Sequence, residues 1–120
     1  MKELLAGAIV AGIFAGSMQI RADEAISITV RPAVATARAN AQLKVFVVPD
    51  EKNRTLVWEV DGPTYYRSST MEIDGASAPR RYVFMVRDLP AGDFEVRATL
   101  MRNDRSVAVD RSTIKVIGGD

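Results

Sequence analysis

The chain has no cysteine and no histidine among its 120 residues. Without thiols there is no disulfide to staple a small domain, no thiolate nucleophile and no structural zinc site, so the fold must stand on hydrophobic packing. Without imidazole there is neither a nucleophile and histidine pair nor a histidine-ligated metal. Aromatic residues are few, at 7% with a single Trp. Neither sign of charge is in excess: 16 basic and 15 acidic side chains give a formal net charge of +1. Nothing in that balance asks for nucleic acid or an acidic surface as partner.

What the chain does have is one long uncharged run, Leu4 to Met18, preceded by Lys2 and Glu3 and followed by Gln19 to Arg21 and then Ala22. A short apolar centre ending near a small residue is the pattern of a secretory signal. Residues 1–22 therefore read as a signal peptide cut after Ala22, although Ile20 stands where a smaller side chain is preferred. The alternative is a retained inner-membrane anchor. A spanning helix needs about 20 apolar residues, and Leu4 to Ile20 offers 17 if Ser17 and Gln19 are tolerated. In that case Ala8, Gly12 and Gly16 supply a small-residue stripe for helix packing in lipid. Loss of the leader removes Lys2, Arg21 and Glu3, which leaves 98 residues with 14 basic and 14 acidic side chains. That is enough for one core, so residues 23–120 are expected to form a single domain.

From Ile26 onward apolar residues recur with period two, the mark of half-buried strands. Ile26, Ile28 and Val30 make an edge strand that Pro32 limits, and the Ala-rich residues 33–39 read as a connection or a continuation of that edge. Leu43, Val45 and Val47 share one side of the next strand, then Leu56, Trp58 and Val60. Tyr65 and Tyr66 start a weaker strand, with Met71 and Ile73 in another short one. Tyr82, Phe84 and Val86 follow, then Phe94, Val96, Ala98 and Leu100. A hairpin at Asn103-Asp104 leads to Val107, Val109, Ile114 and Val116. The apolar parity changes between Val109 and Ile114, which predicts a bulge between Asp110 and Thr113. The expectation is an all-β sandwich of about seven strands, with an N-terminal apolar helical leader.

Leu56-Val57-Trp58-Glu59-Val60 resembles the Trp-bearing third strand of immunoglobulin-like and fibronectin type III-like sandwiches. The run Leu89-Pro90-Ala91-Gly92-Asp93-Phe94, continued by residues 95–100, is similar to the turn and sixth strand of such domains in bacterial extracellular proteins. The resemblance covers about residues 26–117 and implies a fold, not an activity. Phe94 stands where that pattern commonly has a Tyr, so it keeps a packing role without the hydroxyl's hydrogen bond.

The remaining candidates for chemistry are carboxylates: Asp50, Glu51, Glu59, Asp61, Glu72, Asp74, Asp88, Asp93, Asp104 and Asp110. Most fall at expected turns or outward strand positions, which favours solvated charges over a catalytic pair. No calcium-loop spacing occurs. No catalytic residue, metal or cofactor is expected. Arginines such as Arg97 and Arg111, alternating with Glu95, read as cross-strand ion pairs on a wet face. Trp58 and Tyr82 share the parity of their strands' core residues, which leaves Tyr65 or Tyr66 as the candidate for stacking on a glycan. Phe46, Val48, Val57, Val83 and Met85 are apolar at outward positions and form the candidate partner-binding face. These readings favour a non-catalytic exported module that contacts another protein in the periplasm, at the cell surface or outside the cell. A carbohydrate-binding module and a membrane-anchored subunit are the alternatives.

Overall fold

The computed structural model describes residues 25–118; the leader, with Ala8, Gly12 and Gly16, lies outside them. Eight strands follow in order: β1 (Ile26–Arg31), β2 (Val34–Thr36), β3 (Ala39–Val47), β4 (Thr55–Asp61), β5 (Tyr66–Glu72), β6 (Arg81–Leu89), β7 (Gly92–Arg102) and β8 (Arg105–Ile117), with one short 3-10 turn at Gly75–Ser77. They form two sheets, β1-β3-β6 and β2-β8-β7-β4-β5, packed as an all-β sandwich.

Strict alternation makes the strands. In β3 the pattern buries Ala39, Ala41, Leu43, Val45 and Val47 and exposes or half-exposes every residue between them. The matching inner rows of β4 (Leu56, Trp58, Val60) and β7 (Phe94, Val96, Ala98, Leu100) close the core from the other sheet. The Phe94 ring is buried and meets Tyr65 edge-on at 5.9 Å. It covers Gly62 so closely that a Cβ there would overlap it. The packing role expected of Phe94 is thus the role it has. Asn103 and Asp104 both have positive φ, 53° and 64°, as the tight hairpin between β7 and β8 requires.

Three expectations need correction. The Ala-rich segment is neither plain connection nor continued edge: the chain leaves β1 at Pro32, which has no N–H to donate, and crosses sheets as β2, paired parallel to β8. This makes eight strands. The two short strands expected around Tyr66 and Met71 are one strand, β5, paired along its whole length with β4. The parity of β8 does not change between Asp110 and Thr113, where pairing with β7 is continuous; the register shift lies at Val107, between the Leu100–Ala108 and Met101–Ser106 pairs. Val109 faces outward, and the inner row runs Ala108, Asp110, Ser112, Ile114, Val116.

Asp110 is tolerated on the inner row because β1, at the margin of its sheet, has a backbone N–H to satisfy. The Asp110 Oδ2 accepts the Ile28 N–H at 2.8 Å and ties β1 to the opposite sheet. Asn53, almost fully buried, does the same for the β3–β4 loop: its Nδ2 donates to the Val48 carbonyl at 3.0 Å and its Oδ1 accepts from Arg102 Nε at 2.9 Å. Orphaning a buried backbone donor costs about 1–3 kcal/mol. Asp110→Ala should therefore lower stability in urea titration by about that amount, and Asp110→Asn, which keeps an acceptor, by less. Equal losses would mean the carboxamide cannot replace the carboxylate at this contact.

Candidate functional site

The outward residues of the three-stranded sheet are Ser27, Thr29 and Arg31 on β1, Asn40, Gln42, Lys44 and Phe46 on β3, and Arg81, Val83, Met85 and Arg87 on β6. Phe46 pairs across from Arg81, Lys44 from Val83 and Gln42 from Met85, so Phe46 lies diagonal to Val83, and Met85 follows two residues on. Phe46, Val83 and Met85 are 37%, 50% and 42% exposed. Val48 extends this apolar row just past the end of β3, where its N–H bonds to the Ala25 carbonyl. Four cations, Arg31, Lys44, Arg81 and Arg87, surround these residues. One carboxylate, Asp88, sits at the β6 bulge beside Arg87, where its N–H bonds to Asn40 Oδ1 at 3.2 Å. No salt bridge links any of these cations to a carboxylate among the described residues.

Four of the five residues expected on a partner-binding face are thus brought together, and Val57 is not among them. It lies on the outer side of the other sheet, paired with Thr70 and Thr99. Period-two parity separates inside from outside but carries no information on which sheet a strand joins.

The outer side of the five-stranded sheet has the opposite character. Arg97 bonds Glu59 at 3.1 Å and Glu95 at 2.9 Å, Arg111 bonds Glu95 at 3.0 Å, and Lys115 approaches Asp93 at 3.6 Å. Tyr66 donates its hydroxyl to the second oxygen of Glu59 at 2.6 Å. The Arg97 hydrogen bond, helped by that of Tyr66, holds the Glu59 carboxyl below its ordinary range, and Glu59 in turn pushes the Tyr66 phenol up. The cross-strand pairs expected from the sequence are here. The two tyrosines do not form one platform: Tyr66 is 58% exposed on this face, whereas Tyr65 packs half-buried against Phe94. A groove of about 670 Å³ lies beside β2, lined by Val34, Pro63, Phe94, Asp61, Glu95 and Lys115 among others. Its volume suits a small molecule, but Glu95 and Lys115 are already spent on Arg97, Arg111 and Asp93.

Trp58 and Tyr82 are core, as their parity predicts. Trp58 lies against Phe84 at 5.3 Å, and the Arg67 guanidinium stands 5.6 Å above its ring. The Trp58 Nε1 and the Tyr82 hydroxyl are buried without a hydrogen-bond partner among the described residues, and burial pushes the Tyr82 phenol up. What sequence reasoning missed is the structural role of Asp110 and Asn53 and the free edge of β6. The unbroken even-numbered row 108 to 116 was a legible signal for the first, masked by the apolar Val107 and Val109.

No protein-family model matches the chain. No curated protein matches it either. Solved structures do. The superoxide reductase (neelaredoxin) of Ignicoccus hospitalis aligns at TM-score 0.57 and 18% identity over 76% of this chain and 79% of its own. A variant of that protein aligns at TM-score 0.60 and 17% identity over 85% and 89%. The CARDB domain of a Pyrococcus furiosus protein, solved in complex with di-metal ions, aligns at TM-score 0.53 and 14% identity over 79% and 92%. At these identities the likeness is one of fold. It corrects the expectation that the chain is not an enzyme, because the same sandwich carries a superoxide reductase and gives no ground for excluding catalysis. The donor set differs from what transition metals favour, however. Nitrogen and sulfur ligands from His and Cys are absent, and among the described residues no three metal-ligating side chains gather.

The Glu59 network makes a pH prediction. A carboxyl whose folded pKa is depressed contributes stability that is present above its unfolded value and lost as pH falls through the folded one. Glu59→Gln should therefore lower Tm at pH 7, and the gap from wild type should shrink below about pH 4. A gap that stays constant down the acid limb would show that the Arg97 contact contributes no charge-dependent stability.

Proposed function

We propose that the chain is an exported β-sandwich module that binds another protein through the outer face of its three-stranded sheet. The observation that supports this reading is the segregation of the two faces. On one, carboxylates and arginines neutralise one another across β4, β7 and β8. On the other, Phe46, Val83 and Met85 sit exposed among Arg31, Lys44, Arg81 and Arg87. Exposed apolar side chains bordered by Arg are the composition of a contact surface, where charged groups stay at the rim and aromatic, Met and Arg side chains meet the partner. Residues 1–22 supply the export signal in this reading.

Two outcomes are expected. Intact mass of the protein recovered from its native host should begin at or near Asp23 in a soluble fraction; a full-length, membrane-bound mass would overturn the cleaved-signal part of the reading. In co-purification from that host, Phe46→Lys with Met85→Lys should lose the bound partner, and Val57→Lys, on the opposite face, should keep it. Thermal unfolding of all variants near the wild-type Tm would confirm intact folds. Retention of the partner by the Phe46 and Met85 variant would place the contact elsewhere.

A further inference from the structure

Among the described residues β6 is the last strand of its sheet, with no neighbour beyond it. Val47 donates its N–H to the Arg80 carbonyl at 2.8 Å, and antiparallel ladders alternate between hydrogen-bonded and non-bonded pairs. The backbone groups of Tyr82, Phe84 and Val86 are therefore turned toward β3, and those of Arg81, Val83 and Met85 are turned outward. Natural edges are commonly blunted by short strands, prolines or covering loops. This one is 9 residues long and carries no proline.

The opposite sheet is wider at the same flank. The Phe84–Trp58 contact sets β6 above β4, so among the described residues β5, beyond β4, has no strand above it. Its inward residues Arg67 and Ser69 are exposed and Met71 is only half-buried. Phe84, alone among the inward residues of β6 from Tyr82 to Val86, is not fully buried. The two orphaned polar atoms, Trp58 Nε1 and the Tyr82 hydroxyl, belong to a residue in contact with β6 and to one on it.

Building on the contact-surface reading, we propose that an extended segment of the partner, alternating apolar and acidic residues, adds to the three-stranded sheet along β6. Main-chain hydrogen bonds to Arg81, Val83 and Met85 supply the pairing, in the manner of strand addition to an open edge. The apolar side chains of the added strand face inward over Phe84 and Met71, in the place above β5. Its acidic side chains face outward beside Arg81 and Arg87. Charge selects this occupant over a second copy of the chain: antiparallel pairing of two β6 strands along their Arg81–Arg87 length sets Arg81 opposite Arg87, and like charges directly opposite are destabilising.

The test uses the full chain and synthetic peptides matched to β6 in length, 9 residues, with capped ends: one alternating Val and Glu, one alternating Val and Lys, and a Val and Glu copy methylated on alternate backbone nitrogens. The Val and Glu peptide should bind, slow amide exchange at Arg81, Val83 and Met85, and weaken as salt is raised. The Lys and methylated peptides should bind at least about tenfold more weakly. Val83→Pro, which removes one outward N–H and leaves the β3 pairing in place, should weaken binding similarly. Equal binding by the methylated peptide, protection at Ser68 and Thr70 of β5 instead, or no binding by the acidic peptide would overturn strand addition. The contact-surface reading stands or falls separately, on whether the Phe46 and Met85 variant loses the host partner.

Discussion

The structure is governed by one mismatch of width: three strands must cover five. The core closes because Leu43, Val45 and Val86 of the narrow sheet meet Val60, Val96 and Leu100 of the broad one, all of them fully buried. The surplus strands fall at the two flanks, and each flank is handled differently. At one, the chain crosses from β1 to β2 and Asp110 bonds the Ile28 N–H, so the margin of the narrow sheet is stitched to the broad sheet. At the other, β5 extends past β6, with Arg67 laid over the Trp58 ring and Met71 half-buried on the inner side. Among the described residues, one margin is closed by a part-buried hydrogen bond and the other, β6, has no strand beside its outward backbone groups.

The same asymmetry orders the charges. The broad sheet carries acids and bases on neighbouring strands, so they pair across the ladder; exposed pairs of this kind contribute little stability individually, and their effect is to leave that face polar and self-matched. The narrow sheet's outer face carries four cations around the exposed Phe46, Val83 and Met85, with Val48 just past the end of β3. In the proposed reading this is the face that meets a partner, whereas on the broad face Arg97, Arg111 and Lys115 are already paired with Glu59, Glu95 and Asp93. The apolar group and the open β6 edge are adjacent, since Val83 and Met85 supply both the exposed side chains and the outward backbone groups.

Much of this was legible in the chain. Alternation in β3, β4 and β7 is a direct record of burial, and the Trp58 and Phe94 positions followed from it; so did the Asn103-Asp104 hairpin, whose residue types suit positive φ. Sheet membership was not legible, because parity along a strand cannot say which layer the strand occupies. Val57 was grouped with Phe46 for that reason, and the two lie on opposite sides of the molecule. Asp110 was misread for a related one: an acidic residue on an inner row is explained only by the backbone donor it meets from a strand 82 positions away. The free edge of β6 is likewise a property of topology, invisible until the strand order is known. Absent His and Cys narrowed the chemistry, yet the likeness to a superoxide reductase fold shows that a sandwich by itself does not exclude catalysis.

The most direct measurement is site-specific photo-crosslinking in the native host, with a photoreactive side chain placed at Val83 or, separately, at Val57. The account predicts a discrete crosslinked protein from Val83 and none from Val57. Crosslinks from Val57 alone would contradict it and move the contact to the broad, charge-paired face.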